Sequence, residues 1–356
     1  MGEGAVYSAA KVFRHPDRVA PWLAGEPTAP LHIRIKPINR CNHSCWYCAY
    51  RADGLQLGEE MDEDARLPIA TLRRIAADLV EMGVKAVTFS GGGEPLLYRD
   101  LPEIVETLGR GGVKVATLTN GANLKGRMAD AFAAHGTWVR VSVDAVDDDS
   151  YAQARGVRPG AFTALLENMA DFTARRSPCV LGVNLVIGAG NANRVAEACA
   201  IFRSVGVSHV KLSGVVVANS GAENEAYHTA IRDTVAGQIA QARRLETDGF
   251  RIVDHYHALP ERFTKSYRTC PMARFLTVIG ADGGVYTCQD KAYTDVGRIG
   301  RLEDGRFRDF WFSDPVQAFL NGFDPSLSCA HHCVAHTKNT LLDEVARLDR
   351  EHAGFV

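Results

Sequence analysis

The sequence predicts an α/β protein in which a partial (β/α)6 barrel precedes a small C-terminal domain of a β-hairpin and helices. Six short β-rich runs alternate with segments of helical periodicity, and this alternation is typical of βα units that build a parallel sheet. The chain has 356 residues, of which 46% are hydrophobic, which is enough for one large domain with an appendage. We therefore divide it into residues 1–30, 31–250 and 251–356.

The first segment contains a predicted short helix over residues 11–23 that caps the barrel. The predicted barrel strands cover residues 32–36, 84–89, 113–118, 138–143, 180–187 and 210–217. Between the first two strands, apolar side chains recur at helical spacing from Leu72 to Val80. Right-handed crossovers place the C-terminal ends of all parallel strands on one rim, and that rim carries the active site in barrels of this kind.

Charge and cysteine content limit the classes of function. The net charge is −2, and the absence of a run rich in lysine and arginine argues against a nucleic-acid partner. No apolar stretch is long enough to cross a bilayer, and no signal sequence opens the chain, so we expect a cytoplasmic protein without a membrane partner. In that reducing compartment, nine cysteines are better explained as metal ligands than as disulfides.

Three of the cysteines follow the first predicted strand with CxxxCxxC spacing. Cys41, Cys45 and Cys48 lie on one short loop, where their thiolates can hold three irons of a cubane 4Fe-4S cluster. The fourth iron is then open to another ligand. This arrangement indicates a cluster that binds and reduces a molecule.

A glycine-rich turn follows the second predicted strand on the same rim. Gly91, Gly92 and Gly93 allow a ligand to approach the backbone closely, and the Glu94 carboxylate could accept hydrogen bonds from an ammonium group. The same residues also fit a tight connection between a strand and a helix.

Together the two motifs resemble the radical S-adenosylmethionine (radical SAM) superfamily, which has a partial TIM-like barrel. The family motif is CxxxCx(aromatic)C, with Tyr47 as the aromatic residue here. The resemblance implies that the first cysteine set ligates the catalytic 4Fe-4S cluster, whose electron cleaves SAM to a 5′-deoxyadenosyl radical that abstracts a substrate hydrogen. It also implies an electron donor such as flavodoxin or ferredoxin. The implied contacts with SAM are Tyr47, Gly91, Gly92, Gly93, Glu94, Ser142, Asp144 and Arg155.

A second cysteine set occupies the C-terminal third of the chain. Strand-like residues 275–279 and 285–287 flank the turn 281–284, which predicts a β-hairpin, and a helix is predicted near residues 314–320. The ligand candidates are Cys270, Cys288, Cys329 and Cys333. This set resembles the twitch domain, a shortened relative of the SPASM domain, and the resemblance implies an auxiliary 4Fe-4S cluster. The alternative is a structural zinc site in a scaffold protein, because histidines accompany Cys329 and Cys333.

Two further cysteines bear on the type of reaction. Cys179 lies at the start of the fifth strand, opposite the active-site rim, and Cys199 lies in a helical run. Radical epimerisation needs a thiol close to the substrate, and neither cysteine is placed to supply one. An auxiliary cluster can accept the second electron of an oxidation, so the sequence favours dehydrogenation.

The expected class of substrate comes from an analogy with the twitch dehydrogenases. We expect oxidation of an alcohol carbon in a small polar molecule such as a sugar or an aminocyclitol, with peptide modification and sugar epimerisation as alternatives. The catalytic candidates are Asp290, Lys291 and His257, and Asp254, His255 and Tyr256 are further polar contacts. A carboxylate or an imidazole among them could take the alcohol proton.

Overall fold

The computed structural model describes residues 7–52, 55, 60–257, 262–302, 305–349, 351–352 and 354–355. In this part of the chain, ten strands form one sheet, in the order β10-β9-β8-β1-β2-β3-β4-β5-β6-β7. The strands are β1 His32–Ile35, β2 Ala86–Phe89, β3 Lys114–Thr119, β4 Gly136–Ser142, β5 Val180–Ile187, β6 His209–Gly214, β7 Arg251–Asp254, β8 Leu276–Ile279, β9 Gly284–Tyr286 and β10 Arg298–Arg301.

The helices are α1 Pro16–Leu23, α2 Ile69–Glu81, α3 Leu101–Arg110, α4 Gly126–His135, α5 Asp148–Arg155, α6 Ala161–Ala174, α7 Val195–Ser204, α8 Gly221–Thr229, α9 Arg232–Arg243, α10 Met272–Phe275, α11 Phe307–Trp311, α12 Asp314–Gly322, α13 Pro325–Ser328 and α14 His336–Ala346. Short 3₁₀ helices cover Ala9–Arg14, Pro95–Leu97 and Gln289–Lys291. The helices predicted at residues 72–80 and 314–320 are present as α2 and α12.

The sheet confirms the predicted α/β barrel fold and extends it. Strands β1 to β7 are parallel in sequence order. The predicted hairpin is β8 and β9, and β8 also pairs in parallel with β1, so the C-terminal region continues the barrel sheet. Strands β7 and β10 were not predicted, because each has four residues with arginine at one end or both, too few to show alternation.

The alternation of side chains along the strands separates two surfaces of the sheet. In β1, Ile33 and Ile35 are fully buried in the core that the sheet shares with the helices. His32, Arg34 and Lys36 therefore point to the opposite surface, the interior of the barrel. The side chains on this inner surface lie between the cysteine loop and the C-terminal region.

The predicted N-terminal helix is present as a 3₁₀ helix followed by α1. Val12 and Val19 pack in a small core with Met272, Phe275 and Leu342 of the C-terminal region. The division at residues 30 and 250 remains a proposal. None of the described helices is long and apolar enough to cross a membrane.

Candidate active site

The first cysteine set lies on the loop that leaves the C-terminal end of β1. Cys41, Cys45 and Cys48 are all half-buried. The Cys48 amide donates to the Cys45 carbonyl at 3.1 Å, and the His43 amide donates to the Cys41 sulfur at 3.5 Å. Local turns therefore fix the loop that carries all three thiols.

The glycine segment packs against the entrance to this loop. A Cβ atom on Gly93 would lie 2.1 Å from the Arg40 carbonyl oxygen, and one on Gly92 would lie 2.1 Å from the Asn39 side-chain oxygen. The Glu94 amide donates to the Arg40 carbonyl at 3.0 Å. The glycines are needed here for close approach to the backbone of the cysteine loop.

Glu94 is buried, and its carboxylate accepts hydrogen bonds from neighbouring residues of the chain. It accepts hydrogen bonds from the Thr119 hydroxyl at 2.6 Å, the Asn120 amide at 2.7 Å and the Leu96 amide at 2.9 Å. Burial raises the pKa of Glu94, while these donors oppose the shift. The Asn120 side chain also donates to Asn42 at 2.7 Å, so Glu94 links the ends of β2 and β3 to the cysteine loop. Its contact with the SAM amino group remains a prediction.

Arg155 joins the cysteine loop to the end of β4. Its Nε donates to Asp144 at 2.6 Å, in an ion pair whose side chains are each 4% exposed, and its Nη1 lies 3.5 Å from the Cys45 sulfur. Burial lowers the pKa of Arg155, but Tyr47 and Asp144 raise it well above its usual value. Its Nη2 is buried without a hydrogen-bond partner, so it can donate to a bound carboxylate.

A cleft that is partly open to solvent lies beside this pair. It lies between Trp46 and Tyr47 of the cysteine loop and the residues that follow β4, β5 and β6, and Asp144 lines it. Asn191 shapes its far wall by donating to the Asp144 carbonyl at 2.8 Å and the Val186 carbonyl at 2.9 Å. Ser142 ends β4 opposite Asn184 on the inner surface of the barrel. The donor set and the open cleft fit a carboxylate-bearing ligand such as SAM.

The second cysteine set is brought together by the C-terminal region. The pKa of Cys288 is raised by burial and then by Asp290 and the other three thiols, because they lie close enough to oppose its ionisation. Asn339 donates to the Cys270 sulfur at 3.4 Å, and the Tyr267 hydroxyl lies 3.9 Å from the Cys333 sulfur. Cys333 is buried and the other three cysteines are half-buried. Four such thiols with neighbouring donors fit a cluster ligated entirely by the protein.

The side-chain geometry bears on the zinc alternative. Within the described residues, no three His, Cys, Asp or Glu side chains are grouped to hold one metal ion. Thiolates of an iron–sulfur cluster lie further apart than those of a single ion, since each binds a different iron. The four thiols of the second set influence one another's ionisation, which fits four ligands of one cluster.

Lys36 lies between the two cysteine sets and was not found by sequence reasoning. It is fully buried, donates to the Tyr50 hydroxyl at 2.5 Å and also donates to the Gly91 carbonyl. Burial and Arg34 lower the pKa of Lys36 to about 7, while Asp290, Cys288 and Cys48 oppose the shift. Alternation along β1 places it inside the barrel, but only the tertiary structure shows its neighbours.

The three catalytic candidates occupy two different places. Asp290 and Lys291 are buried in the 3₁₀ helix after Cys288, and Asp290 accepts a hydrogen bond from the Val334 amide at 3.2 Å. His257 is exposed beyond β7, with its Nε2 atom 3.6 Å from Asp254. The structure thus brings Asp290 and Lys291 to the second cysteine set, whereas the described contacts of His257 are with Asp254 and Tyr256.

Comparisons with known proteins agree with these two sites. The Radical SAM superfamily profile matches residues 35–192, and the SPASM profile, described as an iron–sulfur cluster-binding domain, matches residues 270–334. Together they cover more than half of the chain and include all seven cysteines of the two sets.

Two kinds of curated relative differ in how much of the chain they match. The GTP 3′,8-cyclase of Tolumonas auensis is 35% identical over 130 residues, which is 35% of this chain and 36% of that protein. The chain therefore aligns with about a third of that relative. The PqqA peptide cyclase of Xanthomonas campestris pv. campestris is 28% identical over 288 residues, which is 79% of this chain and 73% of that protein.

Solved structures share the fold. Streptococcus suis SuiB bound to S-adenosylmethionine matches with a TM-score of 0.62 and 16% identity, over 83% of this chain and 68% of that one. Native anSMEcpe with bound AdoMet matches with a TM-score of 0.59 and 15% identity, over 86% and 90% of the two chains. The two profile matches, and not the shared fold alone, assign residues 35–192 to the radical SAM superfamily and residues 270–334 to the SPASM domain, and these domains imply SAM, a 4Fe-4S cluster and an auxiliary iron–sulfur cluster as cofactors.

Proposed function

We propose that this protein is a peptide-modifying radical SAM enzyme that oxidises a residue of its substrate. The observation that carries the proposal is the length of the alignment with the PqqA peptide cyclase, which spans 79% of this chain, against 35% for the first GTP 3′,8-cyclase. A shared barrel alone gives a short alignment. A match over 79% of this chain is longer than the predicted barrel of residues 31–250, and this length supports a related use of both regions.

The residues of the first site have distinct proposed roles. Cys41, Cys45 and Cys48 hold the catalytic cluster, and Arg155 offers its buried Nη2 to the SAM carboxylate. When bound, SAM and the two clusters supply a 5′-deoxyadenosyl radical for hydrogen abstraction and an acceptor for the second electron. Trp46 and Tyr47 form the wall of the cleft beside this site.

The second site supports oxidation. Cys270, Cys288, Cys329 and Cys333 hold the auxiliary cluster. Asp290 lies two residues after Cys288, and we assign it the proton that leaves the substrate during oxidation. Burial raises the pKa of both Cys179 and Cys199 to about 12, and both thiols lie outside the two cysteine sets. This placement does not suit the hydrogen donor that epimerisation requires.

A second candidate is oxidation of an alcohol carbon in a small polar sugar-like molecule. The polar inner surface of the barrel favours it, because His32, Arg34 and Lys36 face the space that a small substrate would occupy. Under either candidate we expect a small electron-transfer protein, such as flavodoxin or ferredoxin, as the reductant.

The test begins with anaerobic reconstitution, reduction, and mass-spectrometric detection of 5′-deoxyadenosine. We expect formation of the nucleoside in the wild type and its loss in Cys45→Ala. A Cys288→Ala/Cys329→Ala variant should still cleave SAM but should no longer form product, with Cys199→Ala as the matched control. Product formation without the second cysteine set would contradict the oxidation mechanism.

Substrate libraries separate the two candidates. Acidic, basic and neutral peptides and a panel of sugars and aminocyclitols would be offered to the reduced enzyme with SAM. A mass loss of two hydrogens in a peptide supports the first candidate, and the same loss in a sugar alone overturns it in favour of the second.

A further inference from the structure

Three strands of the barrel turn a cation toward its interior. In β1, Arg34 lies between Ile33 and Ile35, and both isoleucines are fully buried against the helices. Alternation therefore directs Arg34 into the barrel. Barrels of this type normally fill their interior with branched apolar side chains, so a cation there needs an explanation.

The same pattern recurs in β4 and β6. Arg140 follows the fully buried Val139 in β4, and Lys211 follows the fully buried Val210 in β6. We call Arg34, Arg140 and Lys211 the lumen cations. They come from strands on different sides of the barrel and face a common interior.

The lumen cations have few anionic neighbours within the described residues, and the carboxylate that acts on Arg34 is Asp290. None of the three forms an ion pair there, and Nε and Nη1 of Arg34 and Nε of Arg140 are buried without hydrogen-bond partners. Arg140 donates to the neutral Tyr7 hydroxyl at 2.6 Å, and its guanidinium carbon lies 4.9 Å from the centre of the Trp138 ring. Buried donors without partners cost stability unless a ligand satisfies them.

The lumen cations also repel one another. Burial, together with the neighbouring cations Arg140, Arg262, Arg34 and Lys338, lowers the pKa of Lys211 to about 7. A protein with a net charge of −2 thus concentrates positive charge in one interior space. An anion bound there would relieve the repulsion.

The iron–sulfur clusters account for only part of this charge. Burial lowers the pKa of Arg34, and Asp290 and then Cys288 lie close enough to oppose that shift. Asp290, Cys288 and Cys48 likewise oppose the lowering of the Lys36 pKa. The largest influences on Lys211 after burial are other cations, and the named influence on Arg140 is Tyr7. Arg140 and Lys211 are therefore available to an anion other than a cluster.

We propose that Arg34, Arg140 and Lys211 bind a carboxylate or phosphate group of the substrate inside the barrel. Guanidinium groups suit this task because their paired N–H donors match the geometry of both oxyanions. The inference rests on the proposed function, since it treats the bound anion as part of the molecule to be oxidised. It narrows the substrate to an acidic peptide or a phosphorylated or carboxylated small molecule.

The binding test uses the reconstituted holoenzyme without reductant. Inorganic phosphate, acetate and chloride would be titrated at constant ionic strength and followed by calorimetry and by thermal unfolding. We expect phosphate or acetate to bind at least tenfold more tightly than chloride. Preference for phosphate indicates a phosphorylated substrate, and preference for acetate indicates a carboxylated one. Equal binding of all three anions overturns the proposal.

Variants identify the site. Arg140→Gln and Lys211→Gln should each weaken binding of the preferred anion at least tenfold, while Arg110→Gln, on the exposed surface of α3, should not change it. Without anion, both lumen variants should unfold at a higher temperature than the wild type, because a repelling charge has been removed. Unchanged anion binding in both variants contradicts the inference. Arg140→Lys, which keeps the charge, covers the case in which Arg140→Gln does not fold.

The results of these experiments distinguish a failure of the anion site from a failure of the proposed function. Anion binding that depends on the lumen cations, in a protein that never forms 5′-deoxyadenosine, would contradict the proposed function and leave the anion site in place. SAM cleavage with peptide oxidation, in a protein whose lumen binds no anion, would contradict the anion site alone.

Discussion

Arg155 carries two tasks that depend on its burial. Its Nε pairs with Asp144 inside the protein, its Nη1 lies 3.5 Å from the Cys45 sulfur, and its Nη2 is buried without a hydrogen-bond partner. A buried pair stabilises little by itself, but removing one partner leaves a charge without compensation. The ion pair with Asp144 is thus a structural contact, whereas the Nη2 atom of Arg155 is available to bind a ligand.

We predict that Arg155→Met lowers the free energy of unfolding by about 3–5 kcal/mol and abolishes SAM binding. Arg110→Met, which breaks an exposed ion pair with Glu106, should cost about 0.5 kcal/mol or less. Urea unfolding and calorimetric titration with SAM measure the two effects. Equal stability of the two variants would show that the Asp144 pair is not a buried interaction in solution.

Lys211 gives a pH dependence with a defined sign. Its pKa in the folded protein is about 7, against an ordinary value of 10.5, because burial and neighbouring cations disfavour its charge. Between these values the unfolded chain binds more protons than the folded protein, so this group makes stability rise with pH. The slope from one such group is at most about 1.4 kcal/mol per pH unit.

We predict that Lys211→Met is more stable than the wild type at neutral pH and that this advantage shrinks as the pH rises to about 9. Denaturant unfolding of both proteins at several pH values measures it, with Lys125→Met as a surface control. A constant difference across the pH range would mean that Lys211 titrates at its ordinary pKa in the folded protein.

At the scale of elements, the glycine segment and the cysteine loop form one unit. The segment after β2 runs so close to residues 38–40 that a methyl group cannot fit, and the hydrogen bonds that Glu94 accepts from Thr119 and Asn120 tie it to the end of β3. The position of the cysteine loop therefore depends on residues more than forty positions further along the chain. This contact explains why the two motifs occur together.

Gly93→Ala should displace the cysteine loop and prevent assembly of the catalytic cluster while leaving the auxiliary cluster in place. Gly249→Ala is the matched control, since a Cβ atom there meets nothing within 4 Å. Iron and sulfide analysis after reconstitution measures the loss, and the variant should hold about half of the wild-type iron if each site takes one cubane cluster. Full iron content in Gly93→Ala would contradict the assigned role.

At the scale of the whole molecule, the C-terminal region is part of the barrel core. Strand β8 pairs with β1, and Trp311 of α11 is fully buried in the main core and donates to the Thr28 carbonyl at 2.9 Å. Arg306, just before α11, pairs with the buried Asp78 of α2. Through these contacts, the region that carries the second cysteine set packs against the barrel that carries the first set.

We predict that Trp311→Ala lowers the free energy of unfolding by about 3–5 kcal/mol and makes both clusters labile together. The neighbouring Phe312→Ala, at a half-exposed position, should cost much less. Thermal unfolding followed by circular dichroism and by iron release measures the effect. Release of iron from only one site would show that the two regions unfold independently.

The sequence alone determined the class of this protein. Two local patterns carry this result: the spacing of Cys41, Cys45 and Cys48, and the alternation of strands and helices. A local pattern can be recognised in a sequence before the fold is known. They predicted the barrel, the two cysteine sets, the hairpin and the cofactors. Short strands such as β7 lie below the length at which alternation can be recognised.

The tertiary structure decided which side chains share a space. Alternation directs Arg34, Arg140 and Lys211 inward along their own strands, but only the order of the strands in the sheet places the three side chains around one interior. The same holds for Lys36 between the cysteine sets and for Arg155 against Cys45. The sequence therefore specified the chemistry of the clusters, whereas the charge of the substrate cavity arises from contacts between residues far apart in the chain.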